Sequence, residues 1–234
     1  MGTLINKKAA IDDIVSDCRS TLTAAEARGG TIHTLAQQYL KGPLGVFDLV
    51  EQRLRNAESV LAPLLAQLDV KDDDSDGLLG RISDDIWNDI GRPASDPMFS
   101  LLFPDGIGFY TDGPDDEQPV KMELLAELLD ANLHPKLDPK KAKVLSKQIR
   151  DSAKALRTAV EQTQTPRAQV AMLSRARTAI ARSMQMALVN LKRHYKATGI
   201  SDPQIHTIIP DRSRSAAKPA PAPQPAAPPA APHT

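Results

Sequence analysis

Six basic residues recur at steps of three and four between Lys140 and Arg157, and this spacing is typical of only one regular structure. An α-helix has about 3.6 residues per turn, so residues three and four apart share a face. The row consists of Lys140, Lys143, Lys147, Arg150, Lys154 and Arg157. Apolar side chains of the same stretch recur at helical spacing about a third of a turn away. We therefore predict an amphipathic helix with one basic face, the basic ladder.

The remaining long segments repeat the same helical spacing, which predicts an all-α fold. Predicted helices span about 4–28, 31–41, 47–68, 120–133, 139–163 and 166–199. The dipeptides Asp138-Pro139 and Thr165-Pro166 are typical helix starts, so residues 139–199 are predicted to form a basic helical hairpin. Aromatic residues make up only 3% of the chain, which favours an aliphatic core between closely packed helices. We expect an antiparallel helical bundle of about four long helices plus short ones, within a single domain over residues 1–210.

Two stretches depart from the helical pattern. Residues 70–119 contain five prolines and 13 of the 29 acidic residues, yet they also hold five of the eight aromatic residues. A disordered linker is usually poor in aromatic residues, so we predict an irregular but ordered acidic excursion. Residues 211–234 consist largely of proline and alanine, a composition that predicts a disordered tail.

Charge is strongly segregated although the chain is neutral as a whole. Residues 69–138 hold 18 acidic and 5 basic residues, and residues 139–199 hold 14 basic and 2 acidic residues. Such blocks either neutralise each other within the fold or form charged surfaces for partners. Glu123, Glu127 and Asp130 share a helical face, which predicts that an antiparallel neighbour brings them to the ladder, with Asp130 near Lys140 and Lys143.

Motifs for catalysis are absent from the sequence. Cys18 is the only cysteine, so neither a disulfide nor a cysteine-based zinc site is expected, and it lies on an apolar helix face. No histidine follows a glutamate at the spacing of a di-iron site in a helical bundle. There is no Gly-x-Ser-x-Gly and no phosphate-binding Gly-rich loop. We predict a protein that is not an enzyme and needs no cofactor.

One acidic run resembles the first half of an EF-hand calcium loop. Asp72, Asp74 and Asp76 occupy the positions of its first oxygen ligands, and Gly77 that of its turn. The twelfth position holds Ser83 instead of the bidentate glutamate. A solvated acidic loop is therefore the favoured interpretation, and a calcium-responsive protein is a third functional alternative.

These features together predict a non-catalytic structural or adaptor protein that acts through protein–protein contacts or self-assembly into a homo-oligomer. Nucleic-acid binding through the basic hairpin is the alternative, since aligned basic residues can contact phosphates. No apolar run approaches the roughly 20 residues that span a bilayer, so we expect a cytoplasmic protein without a membrane segment. The predicted partner-binding residues are Lys147, Arg150, Lys154, Arg157, Arg175, Arg182, Arg193, Phe99 and Phe103.

Overall fold

A computed structural model describes residues 9–210, and every regular element in that range is a helix. The predicted all-α class is therefore confirmed. The helices are α1 Ile11–Arg28, α2 Gly30–Ala36, α3 Gly42–Asp89, α4 Pro97–Leu102, α5 Gly108–Thr111, α6 Gln118–Asp130, α7 Pro139–Ala197 and α8 Asp202–His206. A π-helical segment, Gln37–Lys41, joins α2 to α3 without a turn. The predicted disordered tail at 211–234 lies outside the described residues, as do residues 4–8 of the predicted first helix.

The chain divides into two compact units, where the sequence predicted a single domain over residues 1–210. Of the described residues, the first unit comprises 9–48 and 178–210, and the second comprises Leu49–Arg177. In the first unit, α1, α2 and α8 pack their apolar faces on the carboxyl-terminal part of α7. Tyr195 of α7 is fully buried there and donates a hydrogen bond from its hydroxyl to the carbonyl oxygen of Ile32, at 2.9 Å.

The second unit is built on an antiparallel helix pair, formed by the parts of α3 and α7 that belong to this unit. Ser75 of α3 shares a hydrogen bond of 2.9 Å with Ser152 of α7. Further along α3, Asp89 pairs with Lys141 at 2.6 Å, so residue numbers rise along one helix as they fall along the other. Helix α6 packs against α7 as the third helix of this unit. Its residues Met122, Leu125 and Leu129 belong to the large buried apolar cluster of the second unit, which we name the main core.

Helix α3 is much longer than the sequence predicted, because the acidic stretch after Val70 continues it to Asp89. The predicted irregular insertion at 70–119 is therefore wrong for its first twenty residues. An aliphatic row at helical spacing, Leu79, Ile82, Ile86 and Ile90, is buried against the core and stabilises this part of the helix. This row could have predicted the continuation of the helix from the sequence, but the neighbouring glycines and aspartates obscured it.

Helix α7 corrects the predicted basic hairpin at residues 139–199. Asp138 and Pro139 do begin a helix, and the Asp138 carboxylate accepts a hydrogen bond of 2.9 Å from the backbone N–H of Lys140. Thr165-Pro166 does not begin another one, since α7 continues through Pro166 to Ala197. Packing on both sides of the proline, at Val160 and at Leu173, holds the helix together where the local signal favoured a turn.

The rest of the predicted excursion is ordered and packs on the second unit. Tyr110 is 1% exposed, and its hydroxyl donates to the carbonyl oxygen of Leu102 at 2.5 Å. Asp96 caps α4 by accepting hydrogen bonds from the backbone N–H groups of the first turn. Its other carboxylate oxygen lies 3.3 Å from Nε2 of His134, which is 2% exposed. These contacts link the excursion to the segment that joins α6 to α7.

Candidate functional site

Among the described residues, the two arginines of the basic ladder form ion pairs and its four lysines form none. Arg150 contacts Asp130 of α6 at 2.6 Å, and Arg157 contacts Glu123 at 2.8 Å. The hydrogen bond from Arg157 lowers the pKa of Glu123 below its usual value. Hydrogen bonds from Ser146 and then from Arg150 lower the pKa of Asp130. Helix α6 therefore neutralises the two arginines of the ladder.

The antiparallel pairing of α6 with α7 follows the sequence prediction, but its register differs. The sequence predicts Asp130 near Lys140 and Lys143, and Lys143 does lie close enough for its charge to help lower the pKa of Asp130. The direct contacts of Asp130 are nevertheless with Ser146 and Arg150, up to two turns further along α7. The first turns of α7 instead lie beside the end of α3, where Lys141 pairs with Asp89. The connection between α6 and α7 spans residues 131–138, too long for a tight turn, and Leu137 within it is buried in the core.

The four lysines of the ladder form an exposed row along α7. Within residues 9–210, none of them makes an ion pair, and all four are exposed. We name Lys140, Lys143, Lys147 and Lys154 the lysine strip. It extends about 21 Å along the helix at 1.5 Å per residue. Adjacent lysines repel one another, so the strip is a surface that an anionic ligand would stabilise.

Beside the strip lies an open groove between α6 and α7, with a volume of about 590 Å³. Its lining has both signs of charge. Lys154 is accompanied there by Glu127, Asp151 and Glu161, as well as by the two paired arginines. A ligand that follows the lysine strip therefore also meets carboxylates at its edge.

The other predicted arginines do not join the ladder in one site. Arg175 is exposed in the second unit. Arg182 and Arg193 belong to the first unit, where Arg182 donates a hydrogen bond of 3.2 Å to the carbonyl oxygen of Ala9. A turn at Pro166 would bring these three arginines beside the ladder, as the sequence predicts, but α7 continues through Pro166.

Phe99 and Phe103 do not form an exposed partner-binding knob. Phe103 is 3% exposed, and its ring meets that of Tyr110 edge to face, with ring centroids 5.8 Å apart. Phe99 is half-buried, 5.0 Å from Trp87 between ring centroids. The prediction that Phe103 binds a partner is wrong, because burial of these rings in the main core removes the surface that a partner would contact.

The resemblance to a calcium loop is not supported, because its residues lie inside α3 and not in a loop. Asp74 points to another side of the helix from its neighbours and pairs with Lys71 at 3.0 Å. Burial, followed by repulsion from Asp76, raises the pKa of Asp72. Burial also raises the pKa of Asp76, against the effect of a hydrogen bond donated by Gln118. Within the part of the chain that the structure describes, no three histidine, cysteine or acidic residues converge as a metal site.

Cys18 lies in the core of the first unit and is fully buried. Burial, together with the charge of Asp17, raises the pKa of its thiol to about 12. Because the thiolate is the nucleophilic form, a thiol that stays protonated at neutral pH is a poor nucleophile. The position agrees with the interpretation of Cys18 as a small core residue.

Neutralising the two α6 carboxylates should change how stability depends on pH. Folding lowers the pKa values of Glu123 and Asp130. The two carboxylates therefore stabilise the fold fully above their pKa values in the unfolded chain, about 4–4.5. This stabilisation is lost as the pH falls through their lower pKa values in the folded protein. We expect Glu123→Gln/Asp130→Asn to flatten the acid limb of unfolding free energy against pH, measured by urea denaturation. Asp72→Asn is the opposite control: because its pKa is raised, this change should increase stability at pH 7.

No family model, curated protein or solved structure matches this chain. Between Ala9 and Pro210, no helix is both long and apolar enough to cross a membrane. The geometry of the chain itself is therefore the basis of the functional proposal.

Proposed function

We propose that this protein is a non-catalytic structural or adaptor component that binds an acidic protein surface through the lysine strip of α7. One observation carries the proposal. Helix α6 supplies carboxylates to Arg150 and Arg157, while the four lysines of the same ladder stay exposed and make no ion pair among the described residues. A row of lysines with a shared orientation is suited to a row of carboxylates on a partner.

The charge pattern favours a protein over a nucleic acid as the ligand. Glu127, Asp151 and Glu161 line the groove beside Lys154 and would repel a phosphate backbone. The arginines, which are the better residues for bidentate phosphate contacts, are already bound to carboxylates. A protein surface with acidic residues opposite the lysines and basic residues opposite the groove satisfies both sets of charges.

The test is binding of a labelled helical peptide with glutamates at steps of three and four, followed by fluorescence anisotropy. We expect Lys147→Glu/Lys154→Glu to weaken binding about tenfold or more, since two attractions become repulsions. Lys41→Glu/Arg193→Glu makes the same charge change at exposed residues of the first unit and should leave binding unchanged.

A short DNA duplex of random sequence is the competing ligand in the same assay. Tighter binding to the duplex than to the peptide, with a steep loss as salt rises, would replace the proposal by nucleic-acid binding. Binding of neither ligand, or equal loss of binding in the control variant, would overturn the proposal for the lysine strip.

A further inference from the structure

The middle of α3 has an apolar section whose residues belong to none of the buried apolar clusters of the described residues. Seven consecutive apolar residues, Val60–Ala66, lie in this part of the helix, and no residue from 58 to 67 is buried. Val60 is 57% exposed, and Val70, just beyond the section, is 56% exposed. The section contains no charge between Ser59 and Leu68. Contiguous apolar surface of this kind usually marks an interaction site.

The exposed face has a defined pattern along the helix. Arg55, Ser59, Ala62, Ala66, Val70 and Asp73 follow one another at steps of three and four, and all six are exposed. We name this row the α3 face. Ser75 lies about two and a half turns from Ala66, on the other side of the helix, where it bonds to Ser152. Ala66 and Val70 also border an open groove between α3 and α7, so the α3 face reaches the edge of α7 there. Small side chains at its centre permit close approach of a second helix.

The charges at the two ends of the α3 face make it complementary to itself. Arg55 and Asp73 stand equally far from Leu64, on either side, and about five turns apart. When two copies of α3 pack antiparallel and cross at the level of Leu64, Arg55 of each copy lies opposite Asp73 of the other. Ala62 of each then lies opposite Ala66 of the other, so the small residues meet near the two-fold axis.

We infer that the α3 face is the interface of a homodimer in which two copies of α3 pack antiparallel about a two-fold axis near Leu64. Each copy presents the same patch, as a closed two-fold interface requires. A parallel arrangement is disfavoured because it would bring Asp73 against Asp73 and Arg55 against Arg55. One pair of helices over five turns is at the small end of interface sizes, so the dimer should dissociate on dilution.

Charge reversal tests this arrangement in the full chain by sedimentation equilibrium over a concentration series. Arg55→Asp and Asp73→Arg should each raise the dimer dissociation constant about tenfold or more, because two attractions per dimer become repulsions. The double variant Arg55→Asp/Asp73→Arg exchanges the charges and should restore the dissociation constant to near the original value. Arg53→Asp is the control for a charge change elsewhere on α3, since it is exposed but about 200° around the helix from Arg55. Glu51→Gln is the control for the ion pair that Arg55 makes within the chain, at 3.5 Å, and should leave the dissociation constant unchanged.

A second readout reports the contact without relying on charge. Under mild oxidation, a mixture of Ala62→Cys and Ala66→Cys chains should form disulfide-linked pairs faster than either variant alone. The native Cys18 is buried and should not interfere.

A monomer at every concentration, or a dimer that none of these changes affects, would overturn the proposal. Failure of the double variant to recover, with unchanged helicity by circular dichroism, would overturn the antiparallel register. The lysine strip is separate, so Arg55→Asp should leave peptide binding unchanged.

Discussion

Replacing Tyr110 with alanine is expected to lower the free energy of unfolding by about 3–5 kcal/mol, the range for removal of a buried aromatic side chain. Tyr110 is 1% exposed, and its ring contacts Phe103 and Phe109. Its hydroxyl satisfies the carbonyl of Leu102. Urea denaturation followed by the fluorescence of Trp87, the only tryptophan, should report the loss because Trp87 packs on the same core.

Two further variants separate the causes of this loss. Tyr110→Phe keeps the ring and removes the hydrogen bond, so it should cost only about 1–2 kcal/mol. Leu101→Ala alters a side chain of the same excursion that is 50% exposed, and a surface change of this kind should cost about 0.5 kcal/mol or less. Equal effects of Tyr110→Ala and Leu101→Ala would contradict the packing of the excursion on the second unit.

Replacing Pro166 with alanine is expected to raise the free energy of unfolding by about 2–2.5 kcal/mol. Pro166 lies inside α7, where it cannot donate a hydrogen bond to the carbonyl of Gln162. Proline in a helix interior costs about 3 kcal/mol relative to alanine, and its stiffening of the unfolded chain offsets about 0.4–1 kcal/mol of this. Thermal and urea denaturation monitored by circular dichroism would measure the gain.

Pro139→Ala is the matched control in the same helix. Pro139 is the first residue of α7, where a backbone N–H would have no partner within the helix, so its replacement should bring no comparable gain. A stability loss in Pro166→Ala would contradict the prediction and indicate that packing depends on the proline. Pro63 lies inside α3, so Pro63→Ala should act in the same direction.

The lengths of the two long helices show where local sequence signals were insufficient. The Thr165-Pro166 pair and the glycines near Asp76 each favour an end of a helix, and α7 and α3 continue through both places. A helix start signal contributes about 1 kcal/mol, whereas burial of several aliphatic side chains on either side contributes more. Contacts between residues distant in sequence therefore decided the helix boundaries.

The candidate sites also have features that residue spacing predicts and features that depend on contacts between helices. Spacing alone placed the six residues of the basic ladder on one helical face, and the facing carboxylates of Glu123 and Asp130 were predicted from the same rule. Spacing could not show that Arg150 and Arg157 pair with them while the lysines form no ion pair among the described residues, because this depends on the register of α6 against α7. The exposure of Val60, Ala62 and Ala66 could not be predicted either, since an apolar run has the same sequence whether or not a neighbour covers it.

The sequence by itself therefore determined the helical class, the start of α7 and the identity of the basic face, since these depend on periodicity and capping within one segment. Tertiary structure alone decided that α3 and α7 are continuous, that Phe103 is buried and that the aspartates at 72–76 lie on a helix. The physical reason is that burial and ion pairing are energies between segments, and their values are set only when the segments meet.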